Sequence, residues 1–531
     1  MSRSLPPQTA VPLETDPGLA PEQEMVRGLG LFSSTAIVIG SMVGSGIFIV
    51  SADIGRLVDS PALLIAAWLV TAVMTIIPAL SYGELAAMMP RAGGQYVYLR
   101  EALGPLWGFL YGWTLFLVIQ TGTIAAVAVA FGKYLGTFFP SVSSTHWLWH
   151  ITHVPVWQLG PMALGNMEIG VNTANLTGIL VVVLLTVVNI FGVRLGAIVQ
   201  DVFTTAKVAA LLGLVGFGLL LGRSREAIAA NFGPHWHAFW HNASLSSVHP
   251  VQVGIGGPTA LVGILTIIAV AQVGSLFSAD AWNNVTFTAG EVRNPSRNLP
   301  LSLAIGTGLV LLLYILANFV YLFALPLHGD PNGTTLVARG IQYASEDRVA
   351  TAVLQQTFNS TGAYLMAAAI LVSTFGCNNG MILAGARVYY AMSRDGLFFK
   401  AAAKLHPRYK TPVASLIVQS IWSCVLCLSG SYGQLLDYTM FAALLFYILT
   451  IGGLFVLRVR QPNAERPYRA VGYPVLPAVY ILMTTWICVV LLRYKPQYTW
   501  PGLAIVLLGV PVYFLWSASS RREARAKASG S

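Results

Sequence analysis

The sequence predicts an all-α integral membrane protein with about twelve transmembrane helices. Of its 531 residues, 56% are hydrophobic and only 9% are charged, whereas soluble proteins carry about 25% charged residues. The apolar residues form runs that can cross a bilayer, for which a helix needs about 20 residues. These runs lie near 30–52, 62–88, 105–132, 174–192, 201–222, 261–288, 301–325, 361–391, 412–430, 434–457, 474–492 and 498–517.

The runs form one membrane domain with a polar tail at each end. Residues 1–25 are polar and proline-rich and lack the apolar core of a signal peptide, so we expect a disordered cytoplasmic tail. The membrane domain is expected over residues 26–518, and a basic cytoplasmic tail over residues 519–531.

The distribution of lysine and arginine predicts the orientation in the membrane. With the N-terminus inside, the inner loops and the C-terminal tail contain most of these residues, as expected for cytoplasmic segments. The outer loops contain only Arg56, Lys133, Arg223, Arg225, Arg339, Arg348, Arg493 and Lys495. Both termini are therefore expected in the cytoplasm. The net charge of +10 reflects this asymmetry and anionic membrane lipids, not nucleic acid binding.

Motifs for metal binding or catalysis are weak. Cys424 and Cys427 have the spacing of a metal or redox pair, but they lie within an apolar run without nearby histidines, so we interpret them as ordinary buried cysteines. Two outer loops, near 133–173 and 223–260, are rich in Trp and His, which favours an interfacial aromatic belt over a zinc site. We find no nucleophile elbow, zinc-protease motif or phosphate-binding loop. The sequence therefore predicts no enzyme, no metal and no cofactor.

Two of the apolar runs are interrupted near their centres. In the first, Gly44-Ser45-Gly46 places two glycines in a helix interior, where each costs about 1 kcal/mol. In the sixth, small residues surround the intramembrane acid Asp280. Unwound backbone within a bilayer is tolerated only where protein buries it or where it lines a polar cavity. We therefore predict discontinuous helices in spans 1 and 6.

Breaks in spans 1 and 6 are what an inverted repeat of five plus five helices predicts. Paired interruptions in corresponding spans indicate the midplane site of a secondary transporter. The first repeat is expected at about residues 30–222 and the second at about 261–457, followed by two helices at about 474–517.

A broken helix presents two backbone ends of opposite polarity. The half-helix that begins after Gly46 offers unpaired N–H groups and a partial positive charge, which suit a carboxylate. The half-helices that end before Gly44 and near Ser278 offer carbonyl groups and a partial negative charge, which suit an ammonium group. A site that contains both ends fits an α-amino acid.

Four stretches of the chain carry further motifs. They are Gly40 to Phe48, Ala79 to Leu85 with Gly93 to Leu99, Phe277 to Asn283 with Asn294 to Pro300, and Ser393 to Gly396 with His406-Pro407 and Thr411-Pro412. The first resembles the span 1 signature of the amino acid–polyamine–organocation superfamily. The other three are similar, in order and spacing, to its L-type amino acid transporter branch. The resemblance extends from span 1 to span 9 and implies the LeuT-like fold and transport of amino acids.

The resemblance also implies which residues bind substrate. The substrate carboxylate is expected on three main-chain amides, those of Gly44, Ser45 and Gly46. The amino group is expected on four main-chain carbonyls, those of Met42, Phe277, Ser278 and Asp280. The ring of Phe277 corresponds to the aromatic gate that closes over substrate from outside.

Lys207 is the one lysine deep inside an apolar run, where a charge costs a few kcal/mol and indicates function. The resemblance implies that it matches the span 5 lysine of sodium-independent members, whose ammonium takes the place of a sodium ion. It would then bridge span 1 near Gly44 to span 8 near Ser373 and Thr374. Burial disfavours the charged form of a lysine, so a proton-carrying Lys207 is a second hypothesis. A purely structural lysine is a third.

Asp280 departs from the resemblance, because most members have glycine or another small neutral residue there. Three hypotheses remain open. The carboxylate neutralises a cationic substrate side chain, it carries a proton, or it pairs internally with a donor such as Asn283 or Asn284. An acid beside the site disfavours large apolar substrates, since it leaves a polar group unpaired against them.

The resemblance also bears on partners. Animal members are linked to a heavy subunit through a cysteine between spans 3 and 4, and residues 133–173 contain no cysteine. We therefore expect no disulfide-linked heavy chain, but a single-chain transporter in the inner membrane of a bacterial cell, in contact with lipid. The predicted function is sodium-independent alternating-access transport of L-amino acids, by exchange or by proton coupling. The alternatives are a transporter of polyamines or cationic amino acids that uses Asp280, and an amino acid sensor without flux.

Overall fold

The computed structural model describes residues 25–155, 157–159, 162–164, 167–233, 236, 260–429 and 432–529. In this part of the chain, ten helices are long and apolar enough to cross a membrane, and two shorter apolar helices lie at Gly263–Ser278 and Val413–Leu428. The prediction of about twelve membrane helices is therefore confirmed. Such helices satisfy their backbone hydrogen bonds internally, as a bilayer requires.

The twelve spans follow one another in chain order. Their helices are span 1 (Leu31–Met42, helix 1a, and Gly46–Val58, helix 1b), span 2 (Pro61–Met88), span 3 (Pro105–Thr114, a π-helical turn Leu115–Ile119, and Gln120–Leu135), span 4 (Thr173–Ile190), span 5 (Val193–Leu220), span 6 (Ala260–Ser278, helix 6a, and Asn284–Phe287, helix 6b), span 7 (Pro295–Ala324), span 8 (Val349–Arg394), span 9 (Val413–Ser429), span 10 (Tyr432–Arg460), span 11 (Val475–Tyr494) and span 12 (Pro496–Ser529).

Spans 1 and 6 are both discontinuous, as the sequence predicts. Helix 1a ends at Met42 and helix 1b begins at Gly46, while helix 6a ends at Ser278 and helix 6b begins at Asn284. Corresponding spans of the two halves pack on each other: span 1 on span 6, 2 on 7, 3 on 8 and 4 on 9. This pairing is what two inverted halves with a shared interior produce.

The connections differ between the two faces of the bundle. On the face that carries residue 25, short helices lie at Gln95–Leu103, Ala289–Glu291 and Lys400–Ala403. On the opposite face, strands Trp147–Val154 (β1) and Met167–Asn172 (β4) pair antiparallel, as do Trp157–Leu159 (β2) and Met162–Leu164 (β3). Further helices on that face lie at Arg225–Phe232, Leu336–Arg339 and Ser345–Asp347.

Some predicted features lie at the ends of the described residues or beyond them. The expected tail of residues 1–25 is outside the described part except for Met25. The predicted tail at 519–531 continues the span 12 helix as far as Ser529. Span 8 is longer than its predicted apolar run, because a helical segment that starts at Val349 precedes a bend at Phe358 and Asn359.

Candidate functional site

The breaks of spans 1 and 6 border one cavity, which encloses about 620 Å³ of space, part of it open to solvent. Side chains of spans 3, 8 and 10 complete its wall, among them Tyr111, Cys377 and Tyr447. All seven residues predicted to bind substrate line this cavity: Met42, Gly44, Ser45, Gly46, Phe277, Ser278 and Asp280.

The break in span 1 presents backbone polar groups to the cavity. Gly46 is the first residue of helix 1b, and the first amides of a helix have no acceptor within it. The amide of Gly44 differs, because it donates to the carbonyl of Met42 at 3.0 Å. A carboxylate that used the Gly44 amide would have to replace this hydrogen bond.

The two breaks are in close contact at Gly46. A β-carbon on Gly46 would lie 2.2 Å from Oγ and 3.0 Å from Cα of Ser278. Because the second atom belongs to the backbone, no side-chain rotation relieves the clash. Glycine at position 46 therefore lets the start of helix 1b approach the end of helix 6a.

Two of the carbonyls predicted to receive an amino group converge on one hydroxyl. Tyr314 of span 7 places its hydroxyl 3.2 Å from the carbonyl oxygen of Met42 and 3.0 Å from that of Ser278. A hydroxyl has a single proton to donate, so the two oxygens share one donor. Tyr314 was not predicted from the sequence, since its contacts depend on how span 7 packs behind both breaks.

Lys207 lies beside the break of span 1, with 1% of its surface exposed. Its ammonium donates to the carbonyls of Gly40, Val43 and Ser373, each at 2.9 Å. An ammonium has three donors, and each of them meets one carbonyl oxygen. Within the described residues, no carboxylate forms an ion pair with Lys207, so the charge rests on backbone oxygens alone.

The two span 8 residues predicted beside Lys207 behave differently. The hydroxyl of Ser373 donates to the carbonyls of Val43 and Gly44, at 2.9 Å each, so span 8 contacts the break directly. The hydroxyl of Thr374 donates to Ile370, one turn back in its own helix, at 2.8 Å. The structure therefore brings Ser373 to the lysine and directs the Thr374 hydroxyl into its own helix.

Asp280 lies in the break of span 6, where Ala281 adopts a left-handed conformation with φ of 64° and turns the chain sharply. The hydroxyl of Tyr447 in span 10 donates to Oδ1 of Asp280 at 2.5 Å. The expected internal donors Asn283 and Asn284 are not the partners found. Asn283 donates to Gln95 at 2.9 Å, and Nδ2 of Asn284 has no hydrogen-bond partner in the described structure.

Two ion-pair networks lie between the cavity and the face of the bundle that carries residue 25. The buried Glu84 accepts from Arg458 at 2.6 and 3.0 Å, and Arg466 lies 3.2 Å from it. Glu291 and Arg387 form a bidentate pair at 2.9 and 3.0 Å, with exposed side-chain fractions of 1% and 0%. These pairs hold the spans together beneath the cavity.

No described group of three or more His, Cys, Asp or Glu side chains is arranged to hold a metal ion. His150 and His153 of β1 instead contact Glu168 of β4, at 2.5 and 2.8 Å. Most of the second Trp- and His-rich loop, at 234–259, is outside the described residues. All four cysteines lie in helices, and none is in a disulfide bond.

Comparison with known proteins decides the family. A sequence profile described as amino acid permease matches residues 29–513. The chain belongs to this family. The permease is therefore a member of the amino acid–polyamine–organocation superfamily, a multi-pass membrane protein with the LeuT-like fold. The family and its relatives are transporters and not enzymes.

Three relatives illustrate the range of similar proteins. The permease is 27% identical to the large neutral amino acids transporter small subunit 2 of Mus musculus, over 92% of its own chain and 81% of the relative. It is 27% identical to the b(0,+)-type amino acid transporter 1 of Mus musculus, over 92% and 88%. It is 26% identical to the serine/threonine exchanger SteT of Bacillus subtilis, over 92% and 96%. The family profile that the permease matches and these three relatives all concern proteins that move amino acids.

Proposed function

We propose that the permease is a sodium-independent exchanger of L-amino acids that works by alternating access. The observation that carries this proposal is the ammonium of Lys207, which donates to the carbonyls of Gly40, Val43 and Ser373. Carbonyl oxygens at the end of a half-helix are also the ligands that bind sodium in transporters with broken helices. A lysine that already donates to these oxygens supplies permanently the positive charge that a sodium ion would bring.

The same contacts favour a fixed charge over a proton carrier. A neutral lysine would have two donors left for three carbonyls, and a buried carbonyl without a donor costs about 1–3 kcal/mol. Ser373 adds a further donor to Val43 and Gly44, but it cannot replace an ammonium at Gly40. Lys207 therefore keeps its proton while it ties span 1 to spans 5 and 8.

The substrate lies between the two breaks with its backbone groups on main-chain atoms. Its carboxylate meets the start of helix 1b at Ser45 and Gly46, where the helix dipole favours negative charge. Its amino group meets the carbonyls of Met42 and Ser278, where it replaces the hydroxyl of Tyr314 as donor. Phe277 closes the site from outside. The permease lies in the inner membrane, and both of its termini lie in the cytoplasm.

Exchange is supported by the similarity to a serine/threonine exchanger along 96% of that protein. The test is counterflow in proteoliposomes loaded with one amino acid at a time, drawn from the twenty common ones and the polyamines. We expect uptake of labelled amino acid only into loaded vesicles. Equal uptake into loaded and empty vesicles would contradict exchange, and saturable binding without any flux would indicate a sensor.

A second candidate function, transport of cationic substrates, follows from Asp280. Its carboxylate lines the cavity, so a cationic side chain or a polyamine could pair with it. Asp280→Asn keeps the shape and removes the charge, and it should weaken lysine and arginine more than alanine in counterflow. Equal losses for the three substrates would exclude this role.

A further inference from the structure

Asp280 has a neutral side-chain donor beside the cavity, the hydroxyl of Tyr447. The hydroxyl of Tyr447 donates to Oδ1 at 2.5 Å, and hydrogen bonds to ionised acceptors are among the strong ones in proteins. Both residues line the cavity. The hydrogen bond joins span 10 to the break of span 6, and Tyr447 and Asp280 are 167 residues apart in sequence.

The phenol is held by an aromatic cluster around it. Its ring stacks on Trp282, with centroids 5.4 Å apart and an angle of 28° between the rings. Tyr82 of span 2 packs edge-on against Trp282 at 4.8 Å and against Tyr447 at 6.1 Å. Because Trp282 is two residues from Asp280, the cluster fixes the hydroxyl relative to the carboxylate.

A carboxylate in such a cavity faces two situations. With a cationic substrate, the side chain of the substrate supplies charge and donors. With a neutral substrate, the carboxylate must be satisfied by the protein, because an unpaired buried polar group is costly. The neighbouring carboxamides do not meet this need, since Asn283 donates to Gln95 and Tyr447 is the side-chain donor that the described structure places on Asp280.

We propose that Tyr447 is a positioning residue that broadens substrate selectivity, so that one site accepts both neutral and cationic amino acids. This inference rests on the proposed function of the cavity. Tyr447 stabilises Asp280 while a neutral substrate is bound, and its donor matters less when a cationic side chain approaches the other carboxylate oxygen. The hydroxyl thus acts on neutral substrates without touching them.

The test compares KM values for alanine, serine and lysine in counterflow with the wild-type protein, Tyr447→Phe, Asp280→Asn and the double variant. Tyr447→Phe keeps the ring and its stacking. It should raise KM for alanine and serine about tenfold and KM for lysine about twofold at most, with maximal rates retained. In the Asp280→Asn background, the same substitution should leave the selectivity ratio unchanged. Tyr82→Phe is the control, because it removes a hydroxyl from the same cluster that makes no hydrogen bond to Asp280.

Several results would overturn the inference. Equal losses for the three substrates would assign Tyr447 a structural role. An undiminished effect in the Asp280→Asn background would show that it acts elsewhere. A wild-type protein that exchanges alanine and excludes lysine would contradict broad selectivity while leaving amino acid exchange intact. A wild-type protein that moves none of the three would contradict the proposed function itself.

Discussion

The ammonium of Lys207 and the carbonyl of Val43 are 2.9 Å apart in the break of span 1. Val43 is the residue directly after helix 1a, where the backbone leaves the helix and its oxygens lose their usual donors. A single cation therefore satisfies the backbone at the point where a membrane helix is unwound. The same contact stabilises the unwound backbone and is the basis of the sodium independence that we propose.

Replacement of Lys207 by Met should abolish most transport. The substitution keeps an unbranched side chain but removes the donor from Gly40, Val43 and Ser373, and unpaired buried carbonyls cost about 1–3 kcal/mol each. We expect counterflow to fall at least about tenfold, with protein still present in the membrane. Lys495→Met, at the end of span 11, is the matched control. A variant that retains the wild-type rate would remove Lys207 from the mechanism.

Gly46→Ala should also abolish transport. Its β-carbon would lie 3.0 Å from the Cα of Ser278, so the two breaks would be forced apart. Gly308→Ala in span 7 is a control, because a β-carbon there meets no atom within 4 Å. Counterflow by both variants, normalised to membrane-inserted protein, checks the prediction. If Gly46→Ala transports as well as Gly308→Ala, the contact between the breaks is not needed.

Gly44→Val should block uptake through the same break. A β-carbon on Gly44 already lies 3.3 Å from the sulfur of Cys377, and valine adds two methyl groups beyond it. The expected result is folded, membrane-inserted protein that neither binds nor moves amino acids. Substrate-induced thermal stabilisation gives the readout. Normal stabilisation by substrate would place the carboxylate site elsewhere.

Removal of one partner of the Glu291–Arg387 pair should destabilise the protein strongly. Both side chains are buried, and breaking such a pair leaves an uncompensated charge that costs about 3–5 kcal/mol. Arg387→Met should therefore lower thermal stability, and Glu291→Leu in addition should recover much of the loss. The melting temperatures of the single and the double variant, compared with that of the wild type, check this prediction. A single variant as stable as the wild type would contradict the burial of the pair.

The loop after span 7 should be protected more strongly at acidic pH. A hydrogen bond with Asp59 raises the pKa of His328 above its ordinary 6.5. Burial alone would raise the pKa of Asp59, but hydrogen bonds from His328 and Gln342 outweigh it and lower the pKa below 3.8. The stabilisation by His328 is complete below pH 6.5 and is lost as the pH rises through its raised pKa.

The contribution of Asp59 is present above pH 3.8 and is lost only as the pH falls through its lowered pKa. The pair is therefore strongest between the two values, although such half-exposed pairs contribute only about 0.2–1 kcal/mol. Hydrogen exchange of residues 326–348, corrected for intrinsic rates, should be faster at pH 8 than at pH 6. His328→Gln should abolish this difference. An identical pH effect in the variant would show that another group is responsible.

The positions of the spans and of both breaks were predictable because they depend on local composition. Apolar runs of membrane length become helices. Gly44-Ser45-Gly46 and Asp280 interrupt two of these helices regardless of how the spans pack against one another. The observed breaks begin within two residues of the predicted ones: helix 1a ends at Met42 and helix 6a at Ser278. The family resemblance and the discontinuous fold are confirmed, whereas the roles of the substrate-binding residues stay predictions.

The partners within the site could not be read from the sequence. Tyr447 and Tyr314 reach the breaks from spans 10 and 7, and such contacts depend on the packing of distant helices. The resemblance implied both Ser373 and Thr374 beside the lysine, yet successive residues of a helix point about 100° apart. Only one of the two hydroxyls can then face span 1. The strands β1 to β4 were likewise expected only as part of a loop.

Counterflow of a labelled amino acid with all sodium replaced by choline is the most direct test of the sodium independence that we propose. The permease is reconstituted in liposomes loaded with the same amino acid, and initial rates are compared in sodium and choline buffers. Because Lys207 supplies the charge beside span 1, we expect equal rates in the two buffers. A rate that falls severalfold without sodium, in wild-type protein with Lys207 intact, would contradict this expectation.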